Sequence, residues 1–214
     1  MMLIYMQPHF AEVDTALRTG FHVTTNNFAE YEFIAQNFDA LSGFYRSYHS
    51  TLTEHPDGFF YLQTDDNSVI PCRTLPRSCM HLGQVLALMA RDPSITKTKG
   101  VVTIDHLFKT IGAMFSTTLL GKIYAPQAKG VGSEERIQKE IRRALRTLAQ
   151  LNFIVLDKNE ASMSMTDAIN RFVEIARHDN EPSEAARREL EIRRGVRFDA
   201  FDTATCQEEE NGEN

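Results

Sequence analysis

The 214-residue sequence predicts a mainly helical α+β chain that carries two β-hairpins. Three observations predict it. Apolar residues recur at helical spacing through most of the chain. Twice the period shortens to that of strands around a turn, and the two turns lie about one hundred residues apart. Each hairpin directly follows a helical segment. Apolar residues at 42% and charged residues at 24% are an ordinary globular balance, and the length is ample for a buried core. No apolar run approaches the length of a membrane span, and the opening residues lack a secretory pattern. Cys72, Cys79 and Cys206 are too few and too irregular for a disulfide framework and read as free thiols.

Residues 11–48 predict two or three short amphipathic helices. Gly20 supplies a stop after Arg18-Thr19, Asn26-Asn27 can cap the next helix, and Phe28, Tyr31, Phe33, Ile34 and Phe38 share its spacing. Leu41, Phe44, Tyr45 and Tyr48 continue the stripe. Residues 51–55 and 59–63 flank Pro56-Asp57-Gly58, a hairpin turn. After a connector bracketed by Pro71 and Pro76, residues 78–90 predict a strongly apolar helix. Residues 97–100 read as a basic loop, 105–115 as a helix and 121–132 as loop. The clearest helix spans 133–151. A second hairpin, 153–157 and 162–166, surrounds residues 158–161, and helices are expected over 167–178 and 182–194, the latter opened by Pro182.

Helices whose last member feeds a two-stranded hairpin match the winged form of the helix-turn-helix. Tandem winged-helix domains are therefore the expected architecture, with one α+β domain holding two unrelated hairpins as the alternative. The boundaries are an N-terminal winged helix over 1–72, a connecting helix and loop over 73–98, a C-terminal winged helix with trailing helices over 99–198, and an acidic disordered tail over 199–214.

Charge is partitioned along this plan. Residues 1–70 hold two basic against nine acidic residues, residues 71–198 hold 21 against 14, and the tail holds six acidic and no basic residues. Such asymmetry separates a segment suited to a polyanion from segments suited to other partners. The acidic first part suits protein contact.

The helix over 133–151 concentrates the basic signal. Ile137, Ile141, Ala144, Leu145, Leu148 and Leu151 fall on one face. Arg136, Lys139, Arg143, Arg146 and Gln150 fall on the opposite face, with Arg142 at its edge and Glu140 as a partial counterweight. Ser133, Glu134 and Glu135 suit the positive end of the helix dipole, and Lys129-Gly130-Val131-Gly132 precedes it. One apolar and one basic face allow a helix to dock on its domain while meeting DNA phosphates, giving salt-sensitive binding. Side chains suited to base reading are scarce there, so phosphate contact is favoured over sequence recognition.

Catalysis has little to rest on. Phosphate-loop, dinucleotide, C-x-x-C and H-E-x-x-H motifs are absent, and the seven histidines lack metal-ligand spacing. No catalytic residue, metal ligand or cofactor is expected. Phe59-Phe60-Tyr61 suggests base stacking, but a wing strand packing on its own helices explains it more simply.

The ordered matches Ala16-Leu17-Arg18-Thr19-Gly20-Phe21-His22, Phe44-Tyr45-x-x-Tyr48, Pro56-Asp57-Gly58-Phe59-Phe60-Tyr61-Leu62 and Ile70-Pro71 carry a family resemblance. So do Arg136, Lys139 and Arg142-Arg143-Ala144-Leu145-x-x-Leu148-x-x-Leu151, then Asn170-Arg171-Phe172 and Asp179-Asn180-Glu181-Pro182-x-Glu184-Ala185-x-Arg187-Arg188-x-Leu190. Together they resemble the MukE family, the small kleisin-associated subunit of the MukBEF bacterial condensin, over roughly residues 16–195. The resemblance implies tandem winged helices, a homodimer wrapped by a MukF-like kleisin, a MukB-like SMC ATPase reached through the complex, and no enzymatic activity. It implies double-stranded DNA bound without sequence specificity, a cytoplasmic, nucleoid-associated location, and a role in chromosome condensation and segregation. The family's DNA contacts fall on Arg136 and Arg142, with Lys129, Lys139, Arg143 and Arg146 beside them. Ala149-Gln150 depart from the basic character expected there, which weakens or shifts that surface. The alternatives are a free-standing winged-helix transcription regulator and the equivalent subunit of a plasmid-defence condensin; the Gly-Phe-Phe-Tyr-Leu hairpin favours chromosome partition.

Overall fold

The computed structural model describes residues 4–72, 74–92, 95, 100–126 and 133–173. The chain divides into two compact units, with the break between Thr74 and Leu75.

In the first unit a 3-10 turn, Ile4–Met6, leads into α1 (Phe10–Arg18). This helix stops where predicted: Gly20 sits at φ 82, in the left-handed region open to glycine, and the Phe21 N–H donates to the Ala16 carbonyl at 3.0 Å. After β1 (Val23–Thr24) come α2 (Phe28–Gln36) and α3 (Phe38–Arg46), joined through the single corner residue Asn37. Asn37 Nδ2 donates to the Phe33 carbonyl at 2.9 Å, a second bond to an acceptor that the Asn37 backbone N–H also reaches at 3.2 Å. Asn27 does not cap α2 through its side chain; its Oδ1 instead accepts from Thr24 N and Thr24 Oγ1, both at 3.3 Å.

The predicted hairpin is β2 (Ser50–His55) and β3 (Phe59–Thr64), closed by a loop that ends on Gly58 at φ 80. The antiparallel sheet runs β1-β3-β2, with Val23 opposite Phe60 and His55 opposite Phe59. Alternation along β3 splits its aromatic run. Phe60 enters the helical core with Val13, Leu17, Ile34, Leu41 and Tyr45, its ring 4.9 Å from that of Tyr31. Phe59 and Tyr61 point to the opposite face yet are also buried, stacked beside His55 and His22 at ring separations of 4.3 and 5.7 Å. Packing on the unit's own helices thus accounts for Phe60, whereas its two neighbours belong to an aromatic–histidine layer on the other face.

The second unit opens with α4 (Arg77–Met89), which is buried almost all round and packs against α7 and the closing 3-10 turn. A helix buried on nearly every side belongs in an interior, and this one is a central packing element among the described residues of the second unit. β4 (Val101–Thr103) runs straight into α5 (Ile104–Met114), whose first turn is capped by Thr103 Oγ1 accepting from His106 N at 3.2 Å. α6 (Thr117–Tyr124) follows, then α7 (Ser133–Gln150), β5 (Ile154–Leu156), β6 (Ser162–Met165) and a 3-10 turn, Asp167–Val173. Two local expectations change. Residues 121–124 are helix, because Ser116 Oγ caps α6 at Leu119 N and Leu120, Ile123 and Tyr124 are buried. The segment after β6 begins as 3-10, and the rest of that expected helix, the helix at 182–194, the basic loop at 97–99, the loop at 129–132 and the acidic tail lie outside the described residues.

The second sheet runs β4-β6-β5, all antiparallel. Both units therefore share one plan among the described residues: helix, strand, helices, then two strands, with the first strand pairing to the last. α4 holds in the second unit the place of α1 in the first, and the second unit has three helices between its first and second strands where the first has two. The short strands β1 and β4, too brief to leave a periodic signal, complete each sheet. The chain is an α+β protein in which helices predominate.

Candidate nucleic-acid interface

α7 is an uninterrupted helical sequence without glycine or proline, and its first turn carries Glu134 and Glu135 at the positive end of the helix dipole. Ile137, Ile141, Ala144, Leu145 and Leu148 are all at most 5% exposed and pack towards α4 and α6. Each large aliphatic side chain buried this way contributes roughly 1.5–3 kcal/mol, enough to hold the opposite face outward. The helix ends in a Schellman arrangement. Asn152 takes the left-handed conformation at φ 62, its N–H donates to the Ala149 carbonyl at 3.0 Å, and Phe153 N–H donates to Leu148 at 3.0 Å. Thr166 Oγ1, at the end of β6, donates to the Asn152 carbonyl at 2.6 Å, so the hairpin is tied to the helix terminus.

The solvent face carries the predicted cations. Arg136, Lys139, Arg142, Arg143 and Arg146 are all exposed. Four of them, Arg136, Lys139, Arg143 and Arg146, form one stripe along an open groove of about 610 Å³. Its other wall is the end of α6 and the residues after it, Tyr124, Ala125 and Pro126. Arg136 and Lys139 form no ion pair among the described residues. Arg143 stands 3.8 Å from Glu140 with its side chain 80% exposed, a loose contact. Glu140 lines the same groove and also accepts from Ser78 Oγ of α4 at 3.2 Å.

Arg142 does not join the stripe. Its guanidinium lies 5.3 Å from the centre of the Phe108 ring of α5, and it is not among the residues that line the groove. Lys129 lies outside the described residues. The structure thus brings together four of the six predicted side chains, sets one apart and leaves one undescribed.

Two participants escape sequence patterning. One is the wall contributed by α6, where Tyr124 is anchored through its hydroxyl, 2.7 Å from His81 Nδ1 in α4. The signal for it was the cap Ser116 followed by Leu119, Leu120 and Ile123 at helical spacing. The other is Glu160, in the turn between β5 and β6. Arg146 Nε reaches its two carboxylate oxygens at 2.9 and 3.2 Å, and the second terminal nitrogen of the guanidinium bonds Oε2 at 2.9 Å. This pairing holds the Glu160 carboxyl below its ordinary range. The turn is braced by Asp157, whose Oδ1 accepts from Ala161 N at 2.8 Å and Oδ2 from Ser162 Oγ at 3.1 Å. Those donors, the Ala161 N–H foremost, lower the Asp157 carboxyl as well.

Among the described residues no three His, Cys, Asp or Glu side chains group as metal ligands. No described helix is long and apolar enough to cross a membrane.

A family model described as condensin complex protein MksE matches residues 8–177. The chain is also similar to proteins named chromosome partition protein MukE. That of Histophilus somni (strain 2336) is 29% identical over 208 residues, spanning 96% of this chain and 82% of the relative. That of Vibrio vulnificus (strain YJ016) is 28% identical over 77% of this chain and 72% of its own length. That of Shigella flexneri is 26% identical over 85% and 81%.

Proposed function

The chain belongs to the MksE family of condensin complex proteins, and from that premise we propose that it is a non-catalytic subunit of a chromosome-partition complex that joins a kleisin to duplex DNA. Each unit is a winged helix, with β2–β3 and β5–β6 as the wings, α3 and α7 as the helices that feed them, and α4 as the first helix of the second domain. The chain pairs with a second copy of itself, is wrapped by a MukF-like kleisin, and meets a MukB-like SMC ATPase through that assembly. The curated relatives named for chromosome partition support that setting.

One observation carries the DNA assignment: Arg136, Lys139, Arg143 and Arg146 lie in a single exposed stripe beside a groove, while the reverse side of the same helix is buried. Cations three and four residues apart on a rigid helix can each neutralise a phosphate, which fixes position without reading sequence. Arg142, held over Phe108, flanks this contact. The acidic first unit, with two basic residues among its first seventy, repels a polyanion and suits a protein partner.

The experiment is to co-express the chain with its kleisin, determine the copy number in the purified complex, and compete random against selected duplexes for binding. Two copies per kleisin assembly and near-equal competition by random DNA are expected. A chain that stays free of kleisin and prefers one selected sequence by a thousandfold or so would be a transcription regulator instead.

A further inference from the structure

We propose that Glu160 is an internal anion that occupies Arg146 and restrains the basic groove, so that DNA phosphate must displace it to reach the full stripe. This rests on α7 being the DNA face and adds how that face is held in check. Two oxygens of one carboxylate on an arginine fork reproduce the geometry by which arginine holds a phosphate. Arg146 lines the same groove as Arg136, Lys139 and Arg143, so its partner competes for one quarter of that stripe.

The competitor is delivered by a built turn. Glu160 sits at φ 52, a conformation that non-glycine residues seldom adopt, while Asp157 braces the turn through Ala161 and Ser162. Thr166 fastens the hairpin to the end of α7. The carboxylate also feels the charge of Arg142. Both partners are solvent-accessible, with side chains 59% and 36% exposed, and an exposed pair opens readily. An approaching phosphate therefore takes over Arg146, while its negative charge repels Glu160. The fully engaged groove has one more phosphate contact than the resting one offers.

The test uses the full chain assembled with its kleisin, a labelled random-sequence duplex and titration across a range of salt. Glu160→Gln keeps side-chain size and backbone demand while removing the charge. It is expected to bind about threefold more tightly at low salt, because the exposed pair no longer has to be broken, with a nearly unchanged slope of log affinity against log salt, because the same phosphate reaches Arg146 in both proteins. Arg146→Gln alone is expected to weaken binding only slightly, and in the Glu160→Gln background to abolish the gain. Unchanged or weakened binding by a Glu160→Gln protein that melts like the parent would overturn the proposal. Arg136→Glu with Lys139→Glu separates the two levels. If that pair weakens binding while Glu160→Gln brings no gain, the DNA face stands and the restraint falls. If the pair has no effect, or the unmutated complex does not bind the duplex, both fall.

Discussion

Gly83 in α4 receives the ring of Phe172 so closely that a Cβ at position 83 would overlap Cδ1, Cε1 and Cζ of that ring. Phe172 is itself buried and packs on Phe153 at a ring separation of 4.8 Å, so the ring has little room to retreat. A bare helical backbone is thus what allows the turn Asp167–Val173 to close over α4 and beside the start of the second hairpin.

Gly83→Ala ought therefore to destabilise, even though alanine is the better helix former by about 1 kcal/mol. Overpacking of this kind costs about 1–3 kcal/mol, and the melting temperature should fall by several degrees. Phe172→Leu, which shortens the ring's reach, should recover part of the loss in the double variant. A melting temperature that rises in Gly83→Ala would show that the ring moves aside without cost.

His81 gives the second unit a pH dependence. Burial lowers its pKa to about 4, with the charge of Arg77 acting in the same direction. The unfolded chain titrates this group near its ordinary value of 6.5, so between the two values the unfolded state binds more protons. Stability from neutral His81 is complete above about pH 6.5 and drains away as the pH falls towards 4, by about 3 kcal/mol at most. Denaturation midpoints measured from pH 7 to 4.5 should fall for the parent and fall less for His81→Gln. Parallel curves would refute the assignment.

Tyr45 is fully buried in the first unit and donates through its hydroxyl to Asp14 Oδ1 at 3.1 Å; the same oxygen accepts from Arg18 Nε at 2.7 Å. Burial foremost, and then the Asp14 charge, push the phenol's pKa upward, so it stays protonated as a donor. Tyr45→Phe removes the donor but leaves Asp14 its arginine, and should cost about 1 kcal/mol in urea unfolding at an unchanged slope. A midpoint equal to the parent's would mean that the hydroxyl contributes nothing.

Legibility in the sequence followed the length and regularity of each element. α7 declared itself through eighteen residues of strict amphipathic period, and Gly20 and Gly58 marked a helix stop and a turn by a conformation that other residues resist. β1 and β4, two and three residues long, are strands only because β3 and β6 pair with them across the chain, which no local period records. The apolar character of α4 is legible in its sequence, whereas the neighbour it receives at Gly83, the ring of Phe172, lies eighty-nine residues away. The cations of the groove were visible on a helical wheel. Their selection was not: Arg142 leaves the stripe for Phe108, and Arg146 is engaged by Glu160 from fourteen residues away. Both choices depend on neighbours that folding supplies.

The salt dependence of duplex binding tests most directly whether the outer side of α7 meets DNA. For the chain assembled with its kleisin, Arg136→Glu together with Lys139→Glu should weaken binding at low salt and flatten the slope of log affinity against log salt by about two, while leaving the assembly intact. Affinity and slope indistinguishable from those of the unmutated complex would place the DNA elsewhere.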